Sequence, residues 1–190
     1  ILLKNNRYYD HLWSHEWGYS ASIGPSSKSR ERIIIKLIKK YKMRGDLLDI
    51  GCGIGTLIKK ISVQTDLKGI SGCDFSREAV ETSRKLGFNV FQADLTEIEP
   101  FGEARYNSII CSEVLEHIYR DDIAISNLYK LLEKKGKIII TVPYSMKYWS
   151  PHDEFSDHIR RYDYDELTNK MQQANFKILD AFVWGYPFFW

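Results

Sequence analysis

Several side chains in this sequence have the type and spacing to do chemistry. Asp49, Gly51, Cys52, Gly53 and Gly55 stand together in LLDIGCGIGTL (residues 47–57). A turn built on alternating glycines lets a ligand pass against the backbone, since no Cβ intervenes and positive φ is open. Asp74 closes KGISGCD (68–74) and is followed by Phe75, while Asp94 lies between Ala93 and Leu95 in QADL (92–95). Ser112, Glu113 and His117 belong to CSEVLEHI (111–118), and His152 and His158 to HDEFSDHIRRYDYDEL (152–167). Histidine titrates nearest neutrality, so His117 first and His158 second are the candidates for a general base.

The glycine turn discriminates among nucleotides. A dinucleotide loop reads G-x-G-x-x-G, whereas Gly51, Gly53 and Gly55 give G-x-G-x-G, with the third glycine one residue early. A triphosphate loop needs a lysine and a hydroxyl residue after its last glycine, and none follows in place. Neither phosphate signature fits, so the turn suits a ligand that carries no phosphate there.

These residues must be held by regular elements. Residues 26–44 place Ile34, Leu37, Ile38 and Tyr41 on one helical face and Arg32, Lys36, Lys39 and Lys40 opposite, with Ser26 or Ser27 as cap and Gly45 as the end. Strands are predicted at 46–50, 68–74, 88–94, 105–112 and 136–143, alternating with helices at about 55–64, 76–86 (capped by Ser76) and 113–134. This alternation implies right-handed crossovers and a doubly wound, Rossmann-like, mostly parallel α/β sheet, with ligand at the carboxyl ends of the strands. Beyond Pro143 the rhythm breaks into a polar-aromatic loop (144–162). A helix from Asp163, with Glu166 completing a capping box, and a sixth strand at 176–184 are predicted to follow.

A chain of 190 residues suits one compact domain, divided here into an N-terminal helical cap or lid (1–45) and a ligand-binding domain (46–190). The net charge of +2 gives no drive towards nucleic acid, and no apolar run is long enough to span a membrane. Three cysteines, Cys52, Cys73 and Cys111, match neither a disulfide framework nor zinc spacing. They read as buried, reduced thiols of a cytoplasmic protein. His152 and His158 with Asp153 and Asp157 lack a metal-ligand spacing, so no metal site is expected. Of 26 aromatic residues, five lie in 1–25 and 13 in 143–190, which suits a cover over a pocket. There is no initiating Met and the chain stops on GYPFFW, so further residues are expected beyond Trp190.

D-x-G-x-G-x-G at the end of the first strand resembles motif I of the class I S-adenosylmethionine-dependent methyltransferases, of the small-molecule, type 11/23-like kind. The resemblance extends over residues 45–183. It implies that Asp74 grips both ribose hydroxyls, since a carboxylate accepts two hydrogen bonds side by side. It also places Phe75 against adenine and Asp94 on the adenine amino group, with Ala93 and Leu95 flanking it. Ser112, Glu113 and "VLEH" fall in the family's segment after strand four. Asp49 would pair with the ligand's ammonium group, Gly51, Cys52, Gly53 and Gly55 would cradle its methionine portion, and aromatic faces would suit the sulfonium. In this family a seventh strand runs antiparallel between the fifth and sixth, and nothing after FVWGYPFFW can supply it.

The implied reaction is in-line transfer of a methyl group from S-adenosylmethionine to an oxygen, nitrogen or carbon of a small-molecule acceptor, leaving S-adenosylhomocysteine. After the fourth strand there is neither [DN]-P-P-[FYW] nor a Pro-Cys nucleophile, which argues against a nucleic-acid acceptor, and no catechol-type magnesium site is evident. Arg160, Arg161 and Tyr162 are expected to act as structural pins. The alternatives are a cofactor-binding regulatory subunit and a nicotinamide-dependent oxidoreductase. Oligomeric state is unread.

Overall fold

The computed structural model describes residues 6–13 and 24–184. The GYPFFW end lies outside the described residues. The elements in order are α1 (Asn6–Leu12), α2 (Pro25–Lys40), β1 (Leu47–Ile50), α3 (Thr56–Gln64), β2 (Ile70–Asp74), α4 (Arg77–Lys85), β3 (Val90–Gln92), β4 (Tyr106–Ser112), α5 (Asp121–Leu131), β5 (Leu132–Thr141), α6 (Pro151–Phe155) and α7 (Tyr164–Gln173). Their strands form one sheet in the order β3-β2-β1-β4-β5, every pair parallel. Strand order therefore reverses beside β1, which puts the switch point, where α/β sheets take their ligands, at the carboxyl ends of β1 and β4.

Burial follows from the sequence pattern. All four residues of β1 are buried, as a central parallel strand covered on both faces requires. On one face Ile34 and Ile38 of α2 and Leu57 and Ile61 of α3 pack against Leu47, Ile110 and Ile139. On the other, Ala124, Ile125, Leu128 and Leu131 of α5 and Met171 of α7 close over Leu48, Ile50, Ile109 and Cys111. Arg32, Lys36, Lys39 and Lys40 are exposed, so the basic face of α2 is a solvated one. Cys52, Cys73 and Cys111 are buried free thiols. No helix among the described residues is long and apolar enough to cross a membrane.

Several local expectations fail for identifiable reasons. Neither Ser26 nor Ser27 caps α2: Pro25 takes the first helical position, with its fixed φ, and Gly24 becomes the cap residue. Residues 113–120 do not begin a helix. Glu113 sits at φ 56°, Leu115–His117 make one 3-10 turn, and α5 starts only at Asp121. The capping interaction expected at Asp163 is absent, although Asp163 does occupy the cap position. The analogous interaction forms at α6, where Asp153 accepts from the backbone N–H and hydroxyl of Ser150 at 2.8 and 3.0 Å.

Residues 176–184 form no strand. A strand needs a ladder partner, and no described strand lies beyond β5 to supply one. Instead Asp180 accepts from Lys40 Nζ and the Tyr41 hydroxyl, both at 2.7 Å, which fixes this segment against the end of α2.

Candidate functional site

The carboxyl end of β1 runs directly into the glycine turn. Gly51, Gly53 and Gly55 take φ of 70°, 53° and 82°, a left-handed path that other residues resist. The amides of Gly51 and Cys52 both donate to the Cys73 carbonyl, at 2.9 and 3.0 Å, which ties the turn to the end of β2. Gly55 then caps α3.

Asp74 welds the turn to the next helix. Its Oδ2 accepts from the Gly53 amide at 2.8 Å and its Oδ1 from the Ser76 amide at 2.9 Å. Burial raises its pKa to about 6, against the lowering pull of these amides. Ser76 caps α4 as expected, accepting from Ala79 N at 3.2 Å. Asp49 is different. It is 2% exposed, its Oδ2 has no hydrogen-bond partner, and burial beside Asp74 and Glu31 pushes its pKa up to about 8. A buried carboxylate oxygen without a donor is costly in a folded chain. A cationic ligand group would supply what it lacks.

Asp94 Oδ1 closes a local turn, accepting from the Thr96 amide and hydroxyl at 2.8 and 2.7 Å. Ala93 and Leu95 are buried on either side of it. Ser112 meets Thr141 at 2.8 Å. Glu113 accepts from Thr141 at 2.9 Å and pairs with Arg30 at 3.3 Å, so both side chains lean towards β5 and α2.

The N-terminal helix lies across this edge. Asp10 accepts from the Ser76 hydroxyl at 2.7 Å and from the Glu78 amide at 3.1 Å, adding an acidic cap to α4. Tyr9 meets Phe75 edge-on at 5.5 Å between ring centroids and His117 at 6.5 Å. Trp13 stands so close to Gly53 that a Cβ there would meet its ring at 2.3 Å, and a Cβ on Gly51 would meet Val114 at the same distance. The turn thus needs glycine for space as well as for φ. Tyr9, Asp10 and Trp13 were not singled out in sequence, where only the aromatic enrichment of residues 1–25 pointed to them.

Beyond Val114 lies a second polar cluster. Glu116 is fully buried and neither carboxylate oxygen has a hydrogen-bond partner. His158 Nε2 is 3.8 Å from Glu116 Oε1, and its Nδ1 is 2.8 Å from Asp153 Oδ1. His117 Nδ1 is 3.1 Å from the Asp157 carbonyl oxygen, and the two imidazoles meet at 5.0 Å between centroids. Each of Glu116, His117 and His158 offers a ligand-type atom, and these atoms all lie within 4.8 Å of one another. Glu116 was missed in sequence because a glutamate between leucine and histidine reads as a helix-surface residue.

The quartet His152, Asp153, Asp157 and His158 forms no cluster of ligand atoms in the described structure. His152 turns instead to Ser156 at 3.2 Å. Asp153 takes both Arg161 nitrogens, Nε on Oδ1 and Nη2 on Oδ2, at 2.8 Å. Burial pushes its carboxyl up, but the donors of Arg161, His158 and Ser150 outweigh that and hold it well below the usual range.

Tyr162 is 1% exposed and its hydroxyl donates to Asp121 at 2.9 Å, with Leu115 O at 3.2 Å. Asp121 also holds Arg160 and Lys170, each at 2.9 Å. Arg160 and Tyr162 therefore pin the 144–162 loop to the segment after β4, while Arg161 braces the loop internally through Asp153 and the Tyr144 carbonyl.

A family profile described as a methyltransferase domain matches residues 27–181. Among curated proteins, the tabtoxin biosynthesis enzyme of Pseudomonas amygdali pv. tabaci is 28% identical over 187 residues, covering 92% of this chain and 73% of its own. A ubiquinone biosynthesis O-methyltransferase of Rickettsia bellii is 28% identical over 138 residues, and the alignment covers 69% of this chain and 57% of that protein. The crystal structure of magnesium protoporphyrin IX methyltransferase from Synechocystis PCC 6803, with bound S-adenosylhomocysteine, shares the fold. Its TM-score is 0.75 at 15% identity, with 96% of this chain and 93% of that one covered.

Proposed function

The chain belongs to the methyltransferase-domain family, and on that footing we propose that it transfers a methyl group from S-adenosylmethionine to a small-molecule acceptor. The observation that carries the reading is the orphaned Oδ2 of Asp49 beneath a turn whose three glycines take a left-handed path. When bound, S-adenosylmethionine supplies a methyl group already activated on a sulfonium. The residues present fit this group. Asp49 would receive the ammonium group, and Gly51, Cys52, Gly53 and Gly55 would border the methionine portion. Asp74 would take the ribose hydroxyls with the lone pairs left after two amide bonds. Phe75, Ala93, Asp94 and Leu95 would bound the adenine, and Ser112 and Glu113 would close the side towards β4. Tyr9 and Trp13 bring aromatic faces to the same edge, which suits a cation.

With the donor activated, the chain's own task is positioning and exclusion of water, which can contribute roughly 7–11 kcal/mol. Residues 1–45 would serve as the cap over 46–190, consistent with α1 lying on α4. His117 and His158 form the acceptor side. In each, Nδ1 faces an oxygen acceptor, so Nε2 carries the lone pair and would receive the proton of an acceptor hydroxyl. Three buried free thiols support a reducing, cytoplasmic setting.

Thermal unfolding with each cofactor tests the reading, because a ligand that binds only the native state raises the transition. S-adenosylhomocysteine at a hundredfold excess over Kd is expected to raise Tm by about 5–10 °C. A shift with NADH and none with S-adenosylhomocysteine overturns it. Turnover that stays within a few-fold after both His117 and His158 become alanine removes the acceptor-side assignment.

A further inference from the structure

We infer that Glu116, His117 and His158 form a binding site for one divalent first-row transition-metal ion, set beside the methyl-transfer site. Three features of the geometry converge on it. The three ligand-type atoms lie within 4.8 Å of one another, close enough for a single ion to reach all of them after small side-chain adjustments. Both oxygens of the fully buried Glu116 carboxylate go without a hydrogen-bond donor, in a fold that satisfies nearly every other buried side-chain polar atom described. Among the described residues the one other such orphan is Asp49 Oδ2, at the end of β1 beneath the glycine turn. A cation is the partner such a carboxylate lacks.

The third feature is the orientation of the imidazoles. His158 Nδ1 lies against Asp153 Oδ1 at 2.8 Å, and Asp153 is itself clamped by Arg161 and Ser150. His117 Nδ1 lies against the Asp157 carbonyl oxygen at 3.1 Å. An acceptor on Nδ1 places the proton there and leaves Nε2 as the donor atom for a metal. A carboxylate or backbone carbonyl behind the ring is the usual support of a metal-binding histidine. Asp153 thus acts as a positioning residue, and Arg161 fixes Asp153.

Two imidazoles and one carboxylate suit Mn²⁺, Fe²⁺ or Zn²⁺ better than Ca²⁺, which prefers six to eight oxygens. Three protein ligands leave coordination positions open. The site follows Val114, whose methyl fills the space a Cβ on Gly51 would take, so the cluster stands close to the glycine turn. The role of the ion rests on the methyl-transfer reading and deepens it. An acceptor hydroxyl bound to the ion would release its proton to water more readily and present its oxygen to the methyl group. The imidazoles then act on the hydroxyl through the ion. The acceptor class this implies is a hydroxylated small molecule.

The test uses the full chain, stripped with a chelator and then given Mn²⁺ or Zn²⁺ alone. Expected are one equivalent of bound metal by elemental analysis and a rise in Tm of about 5–10 °C at a hundredfold excess over Kd. Glu116→Gln, which keeps size and shape, and His158→Ala are each expected to weaken metal binding at least about 100-fold. S-adenosylhomocysteine binding, measured by calorimetry on the same metal-free samples, reports that each variant is folded. Wild-type protein that binds S-adenosylhomocysteine but less than a tenth of an equivalent of either metal overturns the metal site and leaves the methyl-transfer reading intact. So does metal binding that both variants retain. One equivalent of metal lost in both variants, without any S-adenosylhomocysteine binding to the wild type, upholds the site and overturns the methyl-transfer reading.

Discussion

Replacing Asp49 by asparagine should make the protein more stable and less able to bind its cofactor, with a pH dependence that isolates the cause. The Asp49 carboxyl ionises near 3.8 when exposed and is pushed up to about 8 in the fold, first by burial and then by the charges of Asp74 and Glu31. At pH 7 the shift spans about three units at 1.36 kcal/mol each, so the fold loses up to about 4 kcal/mol relative to an unshifted carboxyl. The sign follows from linkage. A group with a raised folded pKa contributes stability that is complete below about pH 4 and is lost as pH climbs towards 8. Asp74, itself raised to about 6, shares the same field. The single-site figure is therefore a ceiling, and about 2–3 kcal/mol is expected at pH 7.

Asparagine carries no charge to bury, so Asp49→Asn should match the wild type near pH 4 and gain on it steadily up to pH 8. Urea unfolding of both proteins at half-unit intervals measures the gap, and Tm should rise by about 4–10 °C at pH 7.5. The same substitution removes the carboxylate proposed to receive the ligand's ammonium group, and S-adenosylhomocysteine affinity should fall at least about tenfold, or 1.4 kcal/mol. A stability gap that stays flat between pH 4 and pH 8 refutes the buried-charge argument. A variant that binds S-adenosylhomocysteine as the wild type does refutes the role given to the orphaned oxygen.

Tyr162→Phe removes the hydroxyl that joins Asp121 to the segment after β4 and should cost about 1–3 kcal/mol, read as a drop in Tm of about 3–8 °C. Gly53→Ala places a Cβ 2.3 Å from the Trp13 ring at a residue with φ of 53°. It should weaken S-adenosylhomocysteine binding at least about tenfold in calorimetry, and Trp13→Ala in the same chain should recover only the steric part, since the positive φ remains.

Local pattern carried the reading of the fold as far as pattern reaches. The alternation of apolar runs with helical periodicity located all five strands and the helices between them, because each such element buries a face set by its own few residues. It misread 113–120, where the chain must reverse sharply off β4: Glu113 adopts a positive φ and the first turn of the expected helix becomes 3-10. It misread 176–184 for a different reason. FKILDAFVW alternates like a strand, but a strand exists only in a ladder, and Lys40 and Tyr41 hold Asp180 elsewhere. Ser76 was legible as a cap since the interaction spans three residues, whereas Asp153, which completes the capping box of Ser150 on α6, also takes Arg161 and His158, contacts that local pattern does not encode.

The sequence by itself determined one half of the candidate site: a glycine turn spaced for no phosphate, with Asp49, Asp74 and Asp94 at the ends of three predicted strands. Parallel strands of a doubly wound sheet all point their carboxyl ends one way, so residues at those ends converge without any further instruction. The cluster of Glu116, His117 and His158 was decided only by the tertiary structure. Glu116 and His117 meet His158 across some 40 residues of chain, and they do so because Tyr162 and Arg160 fasten the 144–162 loop to Asp121 while Arg161 braces Asp153 within it. Whether Glu116 would face water or lie buried beside two imidazoles is settled by that packing, since periodicity within a helix or strand holds no information about which distant loop will cover it.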